Sequence, residues 1–136
     1  IIRETKMRDE EIKLKHMQDV AKQYIIEIFP PYCSNEDIQK LCRGIIDFSN
    51  GVSDFSNYPS ITPRELKSID LMHFGWNIYN HFGRKNRDVV LHFLKNTFAA
   101  FIKKLMLLLH QHLIQNGSLQ DMGLPTLSML SQMVLI

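Results

Sequence analysis

The sequence predicts an all-α fold, most simply an antiparallel bundle of four or five helices. Apolar residues recur at spacings of three and four along most of the chain, which is the period of a helix buried on one side. No segment shows the apolar–polar alternation that predicts a strand. Breaks in the apolar pattern occur at Pro30-Pro31, Gly83 and Asn116-Gly117, so the predicted connections between helices are mostly short.

The first two predicted helices have clear boundaries. The first covers residues 3–28 and ends at Pro30-Pro31, because proline lacks a backbone donor and disfavours helix in the residue before it. Ser34 caps the second, since its side-chain oxygen can accept a hydrogen bond from the first turn. The predicted inner faces are Leu14, Met17, Ala21, Tyr24 and Ile28 in the first helix and Ile38, Leu41, Ile45 and Ile46 in the second. Residues 47–62 are a predicted loop, which Phe48 and Phe55 anchor to the core.

The later helices are predicted from one strong start signal and two glycine stops. Thr62-Pro63-Arg64-Glu65 combines a capping box with proline at the first helical position, so a third helix is predicted from there to Gly83. A fourth runs from a cap at Asn86 or Asp88 to Gln115, and a fifth begins near Pro125. The predicted inner faces are Leu66, Ile69, Met72, Trp76 and Tyr79 in the third helix and Val90, Leu94, Phe98, Phe101, Leu105 and Leu108 in the fourth.

The 136 residues have the length of one domain, and we expect a single helical domain over residues 1–136. The chain begins at Ile1 rather than at methionine. We therefore expect a fragment, or the ordered part, of a longer protein. Cys33 and Cys42 lack the spacing of a zinc site or a redox motif, so we expect reduced thiols, a cytoplasmic location and neither a metal nor another cofactor. No uncharged apolar run reaches the roughly 20 residues that span a membrane, and the charged N-terminus is unlike a signal peptide. We therefore expect no membrane association.

Positive charge is concentrated in the second half of the chain. Residues 1–62 carry 8 Lys/Arg and 10 Asp/Glu, whereas residues 63–136 carry 8 and 4. Within residues 84–104 the only acidic residue is Asp88, and the basic residues are Arg84, Lys85, Arg87, Lys95, Lys103 and Lys104. Clustered charge of one sign attracts phosphate, although a solvated surface has the same pattern. On a helical wheel, the predicted fourth helix has a polar face formed by His92, Asn96, Lys103 and His110. RNA is therefore a candidate partner.

One short motif carries a chemical prediction. Arg87-Asp88-Val89-Val90-Leu91-His92 places an arginine, a polar residue and a histidine where a basic loop enters the fourth helix. This segment resembles the signature of the HEPN superfamily, compact α-helical domains many of which are ribonucleases. The resemblance covers six residues and a compatible fold class. It implies a metal-independent RNA endonuclease of a toxin or defence system, with a paired active site across a homodimer.

The resemblance also implies roles for three residues. Arg87 would bind the scissile phosphate, His92 would move protons to or from the 2′-hydroxyl and the leaving oxygen, and Asp88 would help to orient them. Attack by a 2′-hydroxyl on its phosphate does require proton transfer and a fixed positive charge. Because five residues along a regular helix correspond to about 140° of rotation, Arg87 and His92 converge only if Arg87 lies in the loop or in the first turn.

Two non-catalytic functions fit the same sequence. One is a nucleic-acid-binding or regulatory module without catalysis, in which Asn96 also binds nucleic acid and the phosphate contacts are Arg84, Lys85, Arg87, Lys95, Lys103 and Lys104. The other is a protein-interaction domain that meets a partner through its charged first helix and its apolar C-terminal segment, residues 124–136. That segment carries no charge, so we expect it to be buried in the bundle, in a homodimer or against a partner protein.

The aromatic run from Phe74 to Tyr79 predicts core packing, with stacking on nucleic-acid bases as the alternative. His73 is interpreted as a half-buried core histidine beside Trp76, and His81 as a neighbour of the basic loop. His110-Gln111-His112 is not a metal pair, because residues two apart on a helix point in different directions.

Overall fold

The chain folds into five α-helices over residues 2–116, which are the residues that the computed structural model describes. The helices are α1 (Ile2–Ile28), α2 (Asn35–Ser49), α3 (Ser68–His81), α4 (Arg87–Thr97) and α5 (Ala99–Asn116). No strand occurs among these residues, so the predicted all-α fold is confirmed. The predicted helix near Pro125 and the apolar segment 124–136 lie outside the described part of the chain.

The core is built from phenylalanine side chains that pack edge to face. The rings of Phe29 and Phe74 are 4.9 Å apart and nearly perpendicular, and those of Phe55 and Phe93 are 5.1 Å apart. Helix α4 lies centrally, in contact with α2, α3 and α5, while α1 packs against α2 and α3. The most deeply buried large side chains include Phe29, Phe55, Phe74, Phe93 and Phe98. Phe48 and Phe55, the predicted anchors of the loop 47–62, are both buried, although Phe48 belongs to α2.

Helix α1 buries a slightly different face from the predicted one. Ala21 and Ile25 are buried, as is Phe29 directly after the helix, whereas Ile28 is 40% exposed and Leu14 is only partly buried. The side chains of residues 3–13 are all exposed. The core contact of α1 therefore comes from its C-terminal half, where residues four apart share one side of the helix.

Helix α2 begins as predicted and ends later. The Asp37 N–H donates to Ser34 Oγ at 3.2 Å, which confirms the predicted cap. The helix continues to Ser49 rather than ending at residue 46, so that Phe48 in its last turn is buried. Of the predicted inner face, Ile38, Leu41 and Ile45 are buried, and Ile46 is only partly buried.

Helix α3 begins at Ser68, and the predicted start at Thr62-Pro63 is wrong. The Arg64 N–H donates to the Tyr32 carbonyl at 2.7 Å, and the Thr62 N–H donates to Asp37 Oδ2 at 3.4 Å. Glu65 has a left-handed backbone with φ 59°, which a helix does not permit. Tertiary hydrogen bonds thus override a local capping signal, and the segment before α3 is irregular.

The predicted fourth helix is divided at Phe98 into α4 and α5. The Thr97 carbonyl accepts a hydrogen bond from the Ile61 N–H at 2.8 Å, and Phe98 has φ −106° and ψ 28°. Phe98 itself is completely buried. The break separates His92 and Asn96 on α4 from Lys103 and His110 on α5, so the polar face predicted for one long helix belongs to two helices.

None of the described helices is long and apolar enough to cross a membrane. Cys33 and Cys42 are free, partly buried thiols. Burial raises the pKa of both, and the pKa of Cys33 reaches about 11.

A candidate binding groove between α3 and α4

The two residues of the predicted catalytic pair lie on different sides of α4. Arg87 is the first residue of this helix, which meets the positional condition for convergence, and its side chain lines a groove against α3. His92 contacts the segment between α2 and α3 instead. Within one chain, Arg87 and His92 therefore do not form a joint site. Asp88 is exposed in the first turn of α4, where its negative charge interacts favourably with the positive end of the helix dipole.

His92 is engaged in holding the irregular segment. Its Nε2 accepts a hydrogen bond from the Phe55 N–H at 3.1 Å and lies 3.3 Å from Asn96 Nδ2, which can also donate to it. A ring nitrogen that accepts from a backbone N–H carries no proton, so in this arrangement the neutral ring is protonated on Nδ1. The Phe55 ring packs against the imidazole with centroids 6.2 Å apart.

Asp54 lies beside His92, with 3.6 Å between Asp54 Oδ1 and His92 Nε2. The pKa of Asp54 is held below its usual value, mainly by hydrogen bonds from the side chain and the backbone N–H of Ser56. We regard the Phe55 N–H as the main partner of His92 Nε2, because its contact is shorter and Asp54 is largely exposed to water.

The residues predicted to bind nucleic acid are distributed over several elements. Arg84 and Lys85 are exposed in the turn between α3 and α4, Lys95 and Asn96 are half-buried on α4, and Lys103 is exposed on α5. Among the basic residues of the described chain, only Arg84 and Arg87 line the groove between α3 and α4.

That groove, which we call the α3–α4 groove, has a volume of about 580 Å³. Its apolar floor comprises Ile69, Met72, Tyr79, Val90, Leu91 and Leu94. The rim carries Trp76, 56% exposed, together with His73, Arg84 and Arg87. None of the residues that the structure places along it is acidic. The groove therefore combines an apolar surface with positive charge.

Helix α3 supplies the groove because it has two apolar faces. Its core face consists of Leu71, Phe74, Gly75 and Ile78, all buried. The face predicted to be internal, with Met72, Trp76 and Tyr79, is instead partly or largely exposed, and the predicted core histidine His73 is exposed as well. An exposed apolar face rimmed by polar groups is typical of an interaction site. The predicted inner face is therefore confirmed only in part, since Leu66 is buried and Met72 and Tyr79 pack against the core, whereas Trp76 is exposed.

Gly75 brings α3 and α4 together beside the groove. A Cβ atom at this position would lie 2.5 Å from Leu94 Cδ1, so a larger residue would require the Leu94 side chain to shift. At the C-terminal end of α3, His81 Nε2 donates to the Met17 carbonyl at 2.8 Å and links α3 to α1. Asn77 Nδ2 donates to the Tyr24 hydroxyl at 2.9 Å across the same interface. These contacts fix the helix that carries Trp76.

The turn after α3 holds Arg84 against Trp76. The Arg84 N–H donates to the Tyr79 carbonyl at 2.9 Å and the Gly83 N–H to the Asn80 carbonyl at 3.2 Å, the bonds of a Schellman motif. Gly83 has φ 87°, which confirms its predicted role in ending the helix. The Arg84 Nε donates to Asn80 Oδ1 at 2.7 Å, and Arg84 Cζ lies 5.7 Å from the centre of the Trp76 ring. This distance is within the range of a cation–π contact.

A second cavity, of about 650 Å³, lies between the segment before α3 and helix α5. Pro63, Leu66, Phe101 and Leu105 form apolar parts of its wall, and Glu65, Lys67 and Lys104 contribute charges of both signs. The α3–α4 groove differs from it in having charge of one sign and a large exposed aromatic side chain.

Within residues 2–116 no group of three or more His, Cys, Asp or Glu residues could hold a metal ion. No family model, no curated protein and no solved structure matches the chain. The α3–α4 groove is therefore the feature of the described chain that points to a function.

Proposed function

We propose that the protein is a non-catalytic protein-interaction module that binds an amphipathic helix of a partner protein in the α3–α4 groove. The observation that carries this proposal is the second apolar face of α3, on which Met72 and Tyr79 are only partly buried and Trp76 is 56% exposed at the rim of the groove. Tryptophan and arginine are the residues most enriched at the energetic centres of protein interfaces, and both are present here.

The dimensions of the groove suit a short helix. Its wall on α3 extends from Ile69 to Tyr79, which at 1.5 Å per residue is about 15 Å. Three turns of a partner helix cover this length and present apolar residues at positions i, i+3 or i+4, and i+7. On the other side of the groove, α4 contributes Val90, Leu91 and Leu94.

Trp76 is expected to contribute most of the binding energy. A buried aromatic side chain covers 150–250 Å², so covering the exposed 56% of Trp76 removes on the order of 100 Å² from water. At about 25 cal/mol per Å² this stabilises the complex by roughly 2–3 kcal/mol. Truncation to alanine should therefore weaken binding by about 30-fold or more.

A displayed library of random 16-residue peptides tests the proposal without knowledge of the natural partner. The full 136-residue chain is the bait, and selected peptides are synthesised and measured by calorimetry. We expect them to bind the wild type and the matched control Ile12→Ala equally, because Ile12 is exposed on α1, which does not line the groove. Trp76→Ala should weaken them by about 30-fold or more. Absence of selected peptides, or binding that ignores Trp76→Ala, would contradict the proposal.

Metal-independent cleavage of RNA by Arg87 and His92 stays a prediction from the HEPN resemblance. It requires His92 Nε2 to leave the Phe55 N–H and a second chain to complete the site. Single-stranded RNA incubated with the protein in EDTA provides the test. We expect no cleavage; cleavage that Arg87→Ala and His92→Ala both abolish, with the fold retained by circular dichroism, would replace our proposal with the nuclease. The homodimer that such a site needs is also a prediction, and sedimentation equilibrium checks it.

A further inference from the structure

We infer that the α3–α4 groove selects a partner helix that carries a carboxylate at one end, and that the Arg84 guanidinium receives this carboxylate. The inference rests on the proposed interaction function and adds the chemistry by which the partner is recognised. It concerns the end of the groove where the turn between α3 and α4 contributes Arg84 and Arg87.

Arg84 is restrained by three contacts before any ligand binds. Its backbone has φ 58° and is tied to Tyr79 by the Schellman bond. Its side chain is fixed at Nε by Asn80 Oδ1 and lies over the Trp76 ring. An arginine immobilised in this way loses little conformational entropy when it binds an anion.

The outer part of the Arg84 guanidinium is available for a ligand. Arginine has five N–H donors, and Nε provides the only hydrogen bond that Arg84 makes through its side chain within the described residues. The four N–H groups on the two Nη atoms remain, and a pair of them matches the two oxygens of a carboxylate. Arg87 lines the same end and forms no ion pair with any described residue.

The first turn of α4 adds to the positive potential at this end. Asn86 is the N-cap residue but makes no side-chain hydrogen bond to the helix, so the first N–H groups of α4 have no side-chain acceptor from the cap. Unpaired N–H groups at a helix N-terminus favour a nearby anion. Asp88 offsets part of this effect from the same turn.

The apolar floor favours a peptide carboxylate over a nucleic-acid phosphate. Only Arg84 and Arg87 supply charge to the groove, and its floor offers few groups that could pair with nucleotide bases. Nucleic-acid binding without sequence preference uses a long basic track with a series of stacked aromatics, whereas the groove contains two aromatic side chains, Trp76 and Tyr79. An amphipathic helix with an acidic terminal turn matches both the floor and the charged end.

The selected peptides give a direct test. We expect them to carry Asp or Glu at one end of their apolar pattern. One such peptide is synthesised with this acid and with the corresponding amide, and each is measured against the wild type, Arg84→Gln and the control Lys85→Gln. Lys85 is exposed in the same turn but does not line the groove.

The acid-to-amide change should weaken binding to the wild type and to Lys85→Gln by about 10-fold or more, but by less than 2-fold for Arg84→Gln. Asn80→Ala, which frees Nε, should produce a smaller loss for the acidic peptide alone. If Arg84 only packed on Trp76, the acid-to-amide change would weaken binding equally for the wild type and for Arg84→Gln.

The outcomes separate the inference from the proposed function. Peptides that depend on Trp76 but lack an acid, or an acid whose effect survives Arg84→Gln, would overturn the inference and leave the interaction function standing. If no peptide binds, both are overturned. A fluorescein-labelled 12-nucleotide oligouridine that binds in a manner dependent on Trp76 would assign the groove to nucleic acid and also overturn both.

Discussion

Replacement of His92 by alanine should destabilise the fold, because the imidazole accepts a hydrogen bond from a backbone N–H. Without Nε2 the Phe55 N–H, 3.1 Å away, loses its acceptor at a partly buried position. An unsatisfied donor of this kind costs about 1–3 kcal/mol. The loss of ring contact with Phe55, whose centroid is 6.2 Å away, adds about 0.5–1 kcal/mol. We therefore expect a decrease of about 2–3 kcal/mol in the free energy of unfolding.

Glutamine at the same position separates the two contributions. Its terminal amide oxygen lies at about the same distance along the side chain as Nε2, so His92→Gln keeps an acceptor and loses the ring. We expect it to be about 1 kcal/mol more stable than His92→Ala. The exposed His110 provides the control, since His110→Ala should change stability by less than about 0.5 kcal/mol.

Urea unfolding followed by circular dichroism at 222 nm measures these differences. With a urea m-value of about 1–3 kcal/mol per M, His92→Ala should lower the midpoint by about 1–2 M. A midpoint within roughly 0.3 M of the wild type would refute the assigned role of the hydrogen bond. Equal stability of the alanine and glutamine variants would show that the acceptor contributes nothing.

Three further perturbations test other parts of the fold and the charge environment. Gly44→Ala should lose about 1 kcal/mol in urea unfolding, because its Cβ would lie 2.4 Å from Phe93 Cε2 and the repacking cost exceeds the helix propensity gained; a more stable variant would contradict this packing. Gly83→Ala should lose a similar amount although its Cβ meets nothing within 4 Å, because φ is 87°; unchanged stability would argue against the left-handed turn. Tyr58 donates to the Asp47 carboxylate, which raises the pKa of Tyr58 to about 12; this stabilisation is present below pH 10 and is lost as pH rises towards 12. Absorbance at 295 nm should show the ionisation of Tyr58 near pH 12. This ionisation should occur at a lower pH in Asp47→Asn and be absent in Tyr58→Phe, and no change in either variant would refute the assignment.

The features predicted correctly from the sequence depend on residues within one or two helical turns. The Ser34 cap, the end of α1 near Pro30-Pro31 and the left-handed Gly83 follow from local backbone chemistry. Local rules are sufficient there because each hydrogen bond or steric restriction involves neighbours in the chain.

Two wrong boundaries, the start of α3 and the missed division of the predicted fourth helix, share one cause, the segment between α2 and α3. It binds Tyr32 through the Arg64 N–H, which displaces the start of α3, and it binds Thr97 through the Ile61 N–H at the division of the predicted fourth helix. Both contacts join residues more than 30 positions apart. No local pattern in the sequence contains that information, so a strong capping box was overruled.

The candidate groove could be predicted only in part from the sequence, because the burial of a helix face also depends on contacts with distant residues. Helical periodicity identified the face of α3 that includes Met72 and Trp76, but a second apolar face was present on the same helix. Apolar residues on two sides of a short helix predict that both will be covered. Only the structure shows that Leu71 and Phe74 face the core, while Trp76 remains at the surface. The sequence feature that pointed to the groove was the presence of two apolar faces on one short helix.

The hydrogen bonds from Phe55 and Ile61 to α4 also have a kinetic consequence. These two amides lie in a segment without helix, yet their acceptors are His92 and Thr97 of the central helix. Their exchange with deuterated solvent requires the segment to separate from α4, so Phe55 and Ile61 should exchange with the slow amides of that helix. The exposed Ser53 and Asn57, in the same segment, should exchange quickly. The segment and α4 would then open as one cooperative unit.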